Sequence, residues 1–298
     1  MIGRRKMRLR KTLVLAAVLV APALHAQQKL DEKRTAAPDG VVAIENNAGS
    51  IHVIGWDRAE ITVTGTLGRN AEALDFSGTQ RRTSISVDAR NPHGVRSDLE
   101  IHVPAGSRIE IDSFGAEISV TDVSGSVHAD TVNGSIRIAG ASKEVQASSV
   151  NGSLEISGTP QRVAAESVNG AVTVRGASGE ITASTVNGLL SVAGATFSLA
   201  SLETVSGGVH FEGDLAAKAS LSVNSVSGDV ELILPPKVSA EFSITTFSGD
   251  IVNELSADKP DKIRKYTSQK DLTFTAGNGG ADISIETLSG EIALRKRP

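Results

Sequence analysis

The sequence predicts an all-β protein, a single-stranded parallel β-solenoid with coils of 18–21 residues. Three observations favour this fold. A Ser/Thr-Val-Asn-Gly motif returns every 18 residues through the middle of the chain. Each copy is followed by a short alternation of apolar and polar residues, which is typical of a β-strand. The apolar positions keep the same step, so like residues fall under like residues in successive copies.

The first 26 residues have the order of a secretory signal peptide: a basic start, a short apolar run over 13–20 and then small residues. Cleavage is expected after Ala26, with the Ala-Pro-Ala that ends at Ala23 as an alternative. The apolar run is shorter than the roughly 20 residues that span a bilayer. We therefore expect an exported protein, periplasmic or extracellular, with no membrane span in the mature chain.

Composition excludes several classes of function. Removing residues 1–26 takes away six basic residues and no acidic residue, so the formal net charge moves from −4 to −10. An acidic chain disfavours nucleic acid as a partner, because phosphate binding needs a basic face. The chain has no cysteine, which excludes disulfides, a cysteine nucleophile and a thiolate metal site. Only 3% of residues are aromatic, so aliphatic side chains must fill the core.

Each repeat is predicted to contain one corner motif and two short strands. The motif starts at Ser113, Thr131, Ser149, Ser167 and Thr185, and at wider spacing at Thr204, Ser225, Thr246 and Thr287. Two apolar columns keep the 18-residue step: Ile109, Val127, Val145, Val163 and Ile181, and then Ile118, Ile136, Leu154, Val172 and Leu190. Around Thr267 the apolar pattern survives at Leu272 and Phe274, and we interpret this stretch as a degenerate copy.

Two architectures could use this repeat. In an antiparallel meander Asn-Gly closes hairpins, and nothing requires one repeat to copy the next. In a parallel solenoid each coil lies on its own copy about 4.8 Å away, so identical residues form ladders. Stacked amides can then bond along the axis, while Asn or Gly supplies the positive φ of a tight corner. The fixed period favours the solenoid. The predicted structural ladder consists of Asn133, Asn151, Asn169 and Asn187 with Gly134, Gly152, Gly170 and Gly188.

The chain divides by pattern into five parts. They are the signal peptide (1–26), a flexible N-terminal segment (27–40), an N-terminal cap with the first irregular coils (41–98), the solenoid repeats (99–294) and a C-terminal tail (295–298). The lengthening of the repeat after Thr204 predicts longer corners. The chain shows no helical periodicity long enough for a further domain.

The ordered pieces resemble a known family. "NNAGSIHVIGWDRAEITVTG" is similar to its opening, "LEIHVPAGSRIEIDSFGAEISV" to its central Pro-containing segment, and the later "[ST]VNG" and "[ST]xSG[DE]" units to its coils. The mature chain, from about residue 41 to 294, resembles the bacterial putative-adhesin domain family. This resemblance implies a repeat protein displayed outside the cytoplasm. It implies no catalytic residue, because the family has no agreed one.

Residues that could carry chemistry have structural interpretations that fit better. The Asn and Ser/Thr ladders suit corners and backbone-capping bonds. The acidic residues Asp229, Asp250 and Glu291, which follow the later corner glycines, lack a dense calcium-binding loop and are interpreted as a solvated face. We therefore expect no catalytic, cofactor-binding or metal-binding residue and no cofactor.

The alternative function is a carbohydrate-active β-helix enzyme of the polysaccharide lyase or glycosidase type. Such a site needs clustered carboxylates on adjacent coils. The outward column instead has only isolated charges, with no second carboxylate beside Glu155; it consists of Arg137, Glu155, Thr173, Ser191, His210 and Glu231. We therefore favour a non-catalytic exported solenoid, an adhesin-like interaction or structural module of the cell envelope.

Its partner is expected to be an envelope protein or polysaccharide of unknown identity. Trp56 is expected to pack over the open first coil, with partner contact as the alternative role. A second candidate contact is the basic stretch with Lys259, Lys262, Arg264 and Lys265.

Overall fold

The computed structural model describes residues 28–68, 71–89, 96–262 and 268–298, so the predicted signal peptide lies outside the described residues. The described chain is all β, and its strands belong to one sheet. In chain order they are β1 (Gln28–Thr35), β2 (Val41–Trp56), β3 (Glu60–Leu67), β4 (Ala71–Gly78), β5 (Arg82–Ala89), β6 (Ser97–Pro104), β7 (Arg108–Thr121), β8 (Ser126–Thr131), β9 (Ile136–Gly140), β10 (Glu144–Ser149), β11 (Leu154–Gly158), β12 (Arg162–Asn169), β13 (Val172–Arg175), β14 (Gly179–Asn187), β15 (Leu190–Ser206), β16 (Val209–Ser227), β17 (Val230–Leu234), β18 (Ala240–Ser248), β19 (Ile251–Asn253), β20 (Asp261–Lys262), β21 (Lys270–Ala276), β22 (Ala281–Ser289) and β23 (Ile292–Lys296).

Most strands stack in parallel in two walls. Wall A runs, from one end of the stack to the other, through β5, β2, β7, β8, β10, β12, β14, β15, β16, β22 and β18. Wall B runs through β6, β2, β7, β9, β11, β13, β15, β16, β17, β23 and β19. Strands β2, β7, β15 and β16 are long enough to turn the corner and to contribute to both walls.

Residues that lie 18 apart in the sequence repeat pair directly with each other in the two walls. Val145 pairs with Val127 on one side and with Val163 on the other. In wall B, Ile156 pairs with Ile138 and Val174. From residue 108 to 206 the walls are built from parallel pairs of this kind, which excludes the antiparallel meander in this region.

The core lies between the two walls and follows the same columns. The 18-residue coils bury Val, Ile and Ala, and the later coils add Phe197 and Phe211, both fully buried with ring centroids 5.5 Å apart. Phe197 pairs with Leu215, whereas Leu199 pairs with Ser220. The residues between 215 and 220 therefore form a longer corner, as the lengthened repeat predicts.

The coils at the N-terminal end do not follow chain order. Strand β2, the first coil in sequence, lies between the coil of β5 and β6 and the coil of β7. Antiparallel strands cover the end of the stack: β4 pairs with β5, β3 with β6, and β1 with β3. Because β1 pairs along its whole length, its backbone is part of the sheet, which differs from the flexible segment expected over 27–40.

The C-terminal end shows the same exchange of order. The last coil in sequence, β22 and β23, lies between the coil of β16 and β17 and the coil of β18 and β19. Strand β21 then pairs antiparallel with β18 at the outer edge. The interpretation of residues around Thr267 as a degenerate coil is therefore wrong. Leu272 and Phe274 instead lie on an antiparallel edge strand, and Phe274 stacks on Phe242 with ring centroids 4.3 Å apart.

A glycine-rich turn explains how the chain crosses from one side of β18 to the other. Gly277, Gly279 and Gly280 have positive φ values of 63°, 72° and 133°, which favour glycine. Ser239, just before β18, holds this turn: its Oγ donates to the Gly279 carbonyl at 2.6 Å and accepts from the Asn278 amide at 3.1 Å. Since both ends carry antiparallel strands, the sheet is mixed and is β-solenoid-like rather than a single parallel solenoid.

The exchanged order can be tested with engineered cysteines. Ser222 on β16 pairs with Ser284 on β22, and Ser284 pairs with Ser243 on β18. We expect S222C/S284C to form a disulfide under mild oxidation, because neighbouring strands bring the two residues within bonding range. We expect S222C/S243C to stay reduced, because a whole strand separates them. The reverse pattern in non-reducing peptide mapping would mean that the coils follow chain order.

Candidate functional site

The Asn-Gly corners form a hydrogen-bonded ladder along the stack. Asn151 Nδ2 donates to Asn133 Oδ1 at 2.8 Å, Asn169 to Asn151 at 3.0 Å and Asn187 to Asn169 at 2.9 Å. These side chains are exposed, and their amides are occupied by one another along the axis. The polar groups of the ladder therefore join successive coils.

Three members of the Ser/Thr column beside the Asn ladder cap backbone groups, whereas the hydroxyl groups of Thr131, Thr204, Ser225, Thr246 and Thr287 are buried without a hydrogen bond to the described residues. Ser149 Oγ donates to the Gly134 carbonyl at 2.9 Å, Ser167 Oγ to Gly152 at 3.0 Å and Thr185 Oγ1 to Gly170 at 2.9 Å. These hydroxyl groups lie inside the corner rather than on an outer binding face.

The corner glycines are needed for a different reason from the expected one. Gly134, Gly152, Gly170 and Gly188 do not have positive φ, and neither do the ladder asparagines. Instead, a Cβ at Gly152 would overlap the carbonyl oxygen of Gly134 in the next coil, and the other three corners are equally close. Close approach of two backbones therefore requires glycine here.

The ladder gives a graded prediction for stability. Asn151→Ala removes two amide bonds and should lower the free energy of unfolding by about 1–2 kcal/mol, at the usual net value per bond. Asn187→Ala removes the single bond to Asn169 and should cost about half as much. Asn224 is an exposed asparagine that makes no side-chain hydrogen bond with the described residues, and Asn224→Ala should be neutral within about 0.5 kcal/mol. Urea unfolding of the three variants measures the order, and an equal loss in all three would contradict the ladder.

An exposed apolar row runs along the corners, and sequence reasoning missed it. The residue after each buried Ser/Thr points outward and is apolar in every coil of wall A from β7 to β18. We call this row the corner stripe; in spatial order it consists of Phe114, Val132, Val150, Val168, Val186, Val205, Val226, Leu288 and Phe247. All except the half-buried Val132 are exposed, and the terminal phenylalanines are 59% and 56% exposed. Nine rungs at about 4.8 Å make a stripe about 40 Å long.

Shallow cavities flank the stripe. One, of about 690 Å³, lies beside Val186, Val205, Val226 and Leu288. A second, of about 620 Å³, lies beside Phe114, Val132 and Val150. Each is bounded by the stripe on one side and by the last outward column of wall A on the other. Together they make a discontinuous groove along the corner.

The outward column beside the stripe is acidic. We call it the acidic column; in spatial order it consists of Asp112, Asp130, Ser148, Glu166, Ser184, Glu203, Asn224, Glu286 and Thr245. Asp130 bonds His128 Nε2 at 2.6 Å and also the hydroxyl of Ser148. The other four carboxylates are exposed and make no hydrogen bond or ion pair with any described residue. Among the residues that the structure describes, no Lys or Arg lines the two cavities.

Some carboxylates elsewhere on the walls are balanced by cations. On wall B, Glu155 bonds Arg137 at 3.0 Å and Arg175 at 3.3 Å. On wall A, Arg162 Nε donates to Glu180 at 2.9 Å. This hydrogen bond, followed by the charges of Glu180 and Glu144, raises the pKa of the Arg162 guanidinium. The four unpaired carboxylates of the acidic column thus differ from these ion-paired ladders.

The carboxylates considered for hydrolysis and for metal binding contact other described groups. In the outward column of wall B, Glu231 bonds His210 at 2.9 Å and Arg295 at 3.1 Å. Of the three acidic residues considered for calcium, Asp229 accepts a hydrogen bond from the Glu291 amide at 2.9 Å, and Asp250 pairs with Lys270. Among the described residues no group of three or more metal-ligating side chains comes together.

The predicted partner contacts lie apart from the stripe in sequence, and only some are described. Trp56 Nε1 donates to the Glu60 carbonyl at 2.9 Å, and its ring lies 4.9 Å from that of His102. Because β2 is covered by β6, Trp56 does not close an open first coil, and that expectation is wrong. Lys259 is exposed. Of the other three, Lys262 ends β20, and Arg264 and Lys265 fall outside the described residues.

In the part of the chain that the structure describes, no helix is long and apolar enough to cross a membrane.

Solved structures resemble this chain over most of its length at low identity. A putative adhesin from Bacteroides fragilis shares 10% identity, with 90% of this chain and 98% of that chain covered and a TM-score of 0.43. A putative lipid binding protein from Parabacteroides distasonis shares 12% identity, with 91% and 98% covered and a TM-score of 0.32. A putative cell adhesion protein from Clostridium sporogenes shares 10% identity, with 91% and 100% covered and a TM-score of 0.21.

No curated protein matches the chain. The sequence does match a family described as Toastrack DUF4097 over residues 41–295, from the start of β2 to within β23. This range contains both exchanged coils and the complete corner stripe. The chain therefore belongs to the Toastrack DUF4097 family.

Proposed function

We propose that the protein is an exported, non-catalytic interaction module of the bacterial cell envelope. The observation that carries this proposal is the corner stripe, an apolar surface about 40 Å long on a ladder of hydrogen-bonded coils. Soluble proteins rarely leave a long continuous apolar surface uncovered unless it meets a partner. Export is supported by the signal-peptide pattern of residues 1–26.

The non-catalytic role is supported by the distribution of charge. A hydrolytic site needs an acid and a base that share one substrate position. On the outer walls several carboxylates are tied to Arg or His, as in Glu155 and Glu231, and those of the shallow groove have no basic partner among the described residues. The names of the similar structures, two of which describe adhesion, agree with an interaction role.

The proposal is tested by capture from isolated cell envelopes with the mature protein fixed at one end. We expect saturable enrichment of one component, and we expect it to survive deletion of residues 254–268, which removes the basic stretch. Loss of capture in this deletion would move the contact from the stripe to the basic stretch. Release of reducing sugar from envelope polysaccharide by the purified protein would contradict the non-catalytic role.

A further inference from the structure

The corner stripe and the acidic column together specify a kind of partner. We propose that they form a docking groove for a cationic amphipathic α-helical segment of another polypeptide. This inference rests on the proposed interaction role and adds the chemistry of the partner. It is supported by charge complementarity, by the spacing of the rungs and by the backbone hydrogen bonds that already occupy the stripe.

Charge selects a cation. Asp112, Glu166, Glu203 and Glu286 stand beside the stripe without a counter-charge among the described residues, whereas Glu155 on wall B and Glu180 on wall A pair with Arg. On its other side the stripe is bordered by a neutral row, which consists of Gly115, the four residues of the Asn ladder, and then Ser206, Ser227, Ser289 and Ser248. A partner that places Lys or Arg against the acidic column and apolar residues on the stripe would satisfy both features.

Charge also argues against other occupants. A second copy of this chain would bring its own acidic column to the interface, and juxtaposed like charges oppose association. An anionic lipid surface would be repelled by the same carboxylates. Sugars are held mainly by aromatic platforms and polar pockets, and the described part of the groove offers two rings, Phe114 and Phe247, at its two ends.

The backbone at the stripe excludes strand addition. The Val132 amide donates to the Ser113 carbonyl, and the Val150 amide donates to the Thr131 carbonyl at 3.3 Å, so the ladder already uses these groups. An extended peptide that binds a sheet edge needs free backbone partners. A helix that lays its apolar face into a groove needs no backbone partner from the sheet.

The rung spacing of the stripe is nearer to the pitch of a helix than to the same-face repeat of an extended chain. The rungs of the stripe are about 4.8 Å apart, and a helix returns the same face every 5.4 Å or so. An extended chain returns the same face only about every 6.6–6.8 Å. A stripe about 40 Å long would take a helix of about 26 residues at 1.5 Å per residue.

A designed peptide tests the partner class with the mature, full-length protein. The probe is a helix of about 26 residues with leucine on one face and lysine on the flanks. One matched peptide has Glu in place of every Lys, and another has the same composition in a scrambled order. We expect saturable one-to-one binding of the probe in calorimetry, weakened by salt, and no measurable binding of the two matched peptides.

Protein variants locate the contact. V168S/V186S/V205S should raise the Kd of the probe by about tenfold or more, because three exposed apolar contacts are lost. E166Q/E203Q/E286Q should raise the Kd of the probe by a similar factor and make that Kd less dependent on salt concentration. The matched controls L199S and D57N alter an exposed leucine on wall A and an exposed aspartate in a turn, and they should bind within about twofold of the parent. These positions are exposed, so circular dichroism should show an unchanged fold.

The failures are distinguishable. If either triple variant binds the probe as the parent does, the groove is not the docking site. If the Glu peptide or an anionic vesicle binds equally well, the partner is not cationic. A dimer in sedimentation that V168S/V186S/V205S dissolves would assign the stripe to a second copy. If envelope capture succeeds while the probe fails to bind, the partner class is wrong and the interaction role stands; if both fail, both are overturned.

Discussion

Gly152→Ala is expected to lower the free energy of unfolding by about 3 kcal/mol, the upper part of the range for overpacked sites. The added methyl group would overlap the carbonyl of Gly134, which belongs to the backbone of the adjacent coil. Backbone cannot rotate away as a side chain can, so the two coils must separate. The bonds from Asn151 and Ser167 that join the same corner would be strained with them.

Gly115→Ala is the matched control. Gly115 also lies in a corner, but a Cβ there would come no closer than 3.6 Å to the Asn47 carbonyl, which is ordinary contact. We expect a change within about 0.5 kcal/mol for this variant. Urea unfolding followed by circular dichroism measures both. Equal stability of the two variants would show that the coils are not packed backbone to backbone at the corners.

Deleting residues 281–298 is expected to disorder far more than the deleted segment. It removes β22 and β23, which lie between two coils, so β18, β19 and β21 lose the strands that join them to the stack. The buried residues Leu221 and Val223 of β16 would face water at a new open edge. We expect rapid proteolysis between residues 235 and 280, together with aggregation through the exposed strand edge.

A deletion of equal length inside the stack is the control. Removing residues 153–170 joins Gly152 to Ala171 and takes out one complete 18-residue coil. Since Gly152 and Gly170 occupy the same place in successive coils, the remaining rungs keep their register, and repeat proteins tolerate such a change better. If residues 240–276 resist protease as well in the C-terminal deletion as in this control, the exchanged order is wrong.

The interior of the stack could be predicted from the sequence because each rung repeats the contacts of the last. Val127, Val145 and Val163 occur 18 residues apart, and they pair directly. Because each coil contacts a copy of itself, the strands and corners of one 18-residue repeat predict those of the next. The Asn ladder follows from the same count.

The order of the end coils could not be predicted in this way. The stretches beginning at 240 and 281 have the same alternation, so each fits equally well beside β16. Which one lies there depends on the turn at Gly277 to Gly280 and on the antiparallel strand β21, and alternation does not encode strand direction. For the same reason β21 was interpreted as a degenerate coil.

The corner stripe was overlooked although its signal is present in the sequence. The Asn and Gly of the motif predict a corner, and this prediction assigns no role to the apolar residue before them. The Ser or Thr before the apolar residue is turned inward, so alternation alone turns the next residue outward. The lack of counter-charge at Glu166 and Glu203 is different, because it depends on which columns become neighbours across the corner.

The most direct test of the parallel, in-register stack uses two cysteines introduced into this cysteine-free chain. Ser135 and Ser153 lie in adjacent coils, with their Oγ atoms 3.2 Å apart. We predict that S135C/S153C forms an intramolecular disulfide in full yield under mild oxidation. S135C/A171C places the second cysteine one coil further along and should remain reduced. Absence of the first disulfide, or formation of the second, would contradict the stacked ladder on which the corner stripe depends.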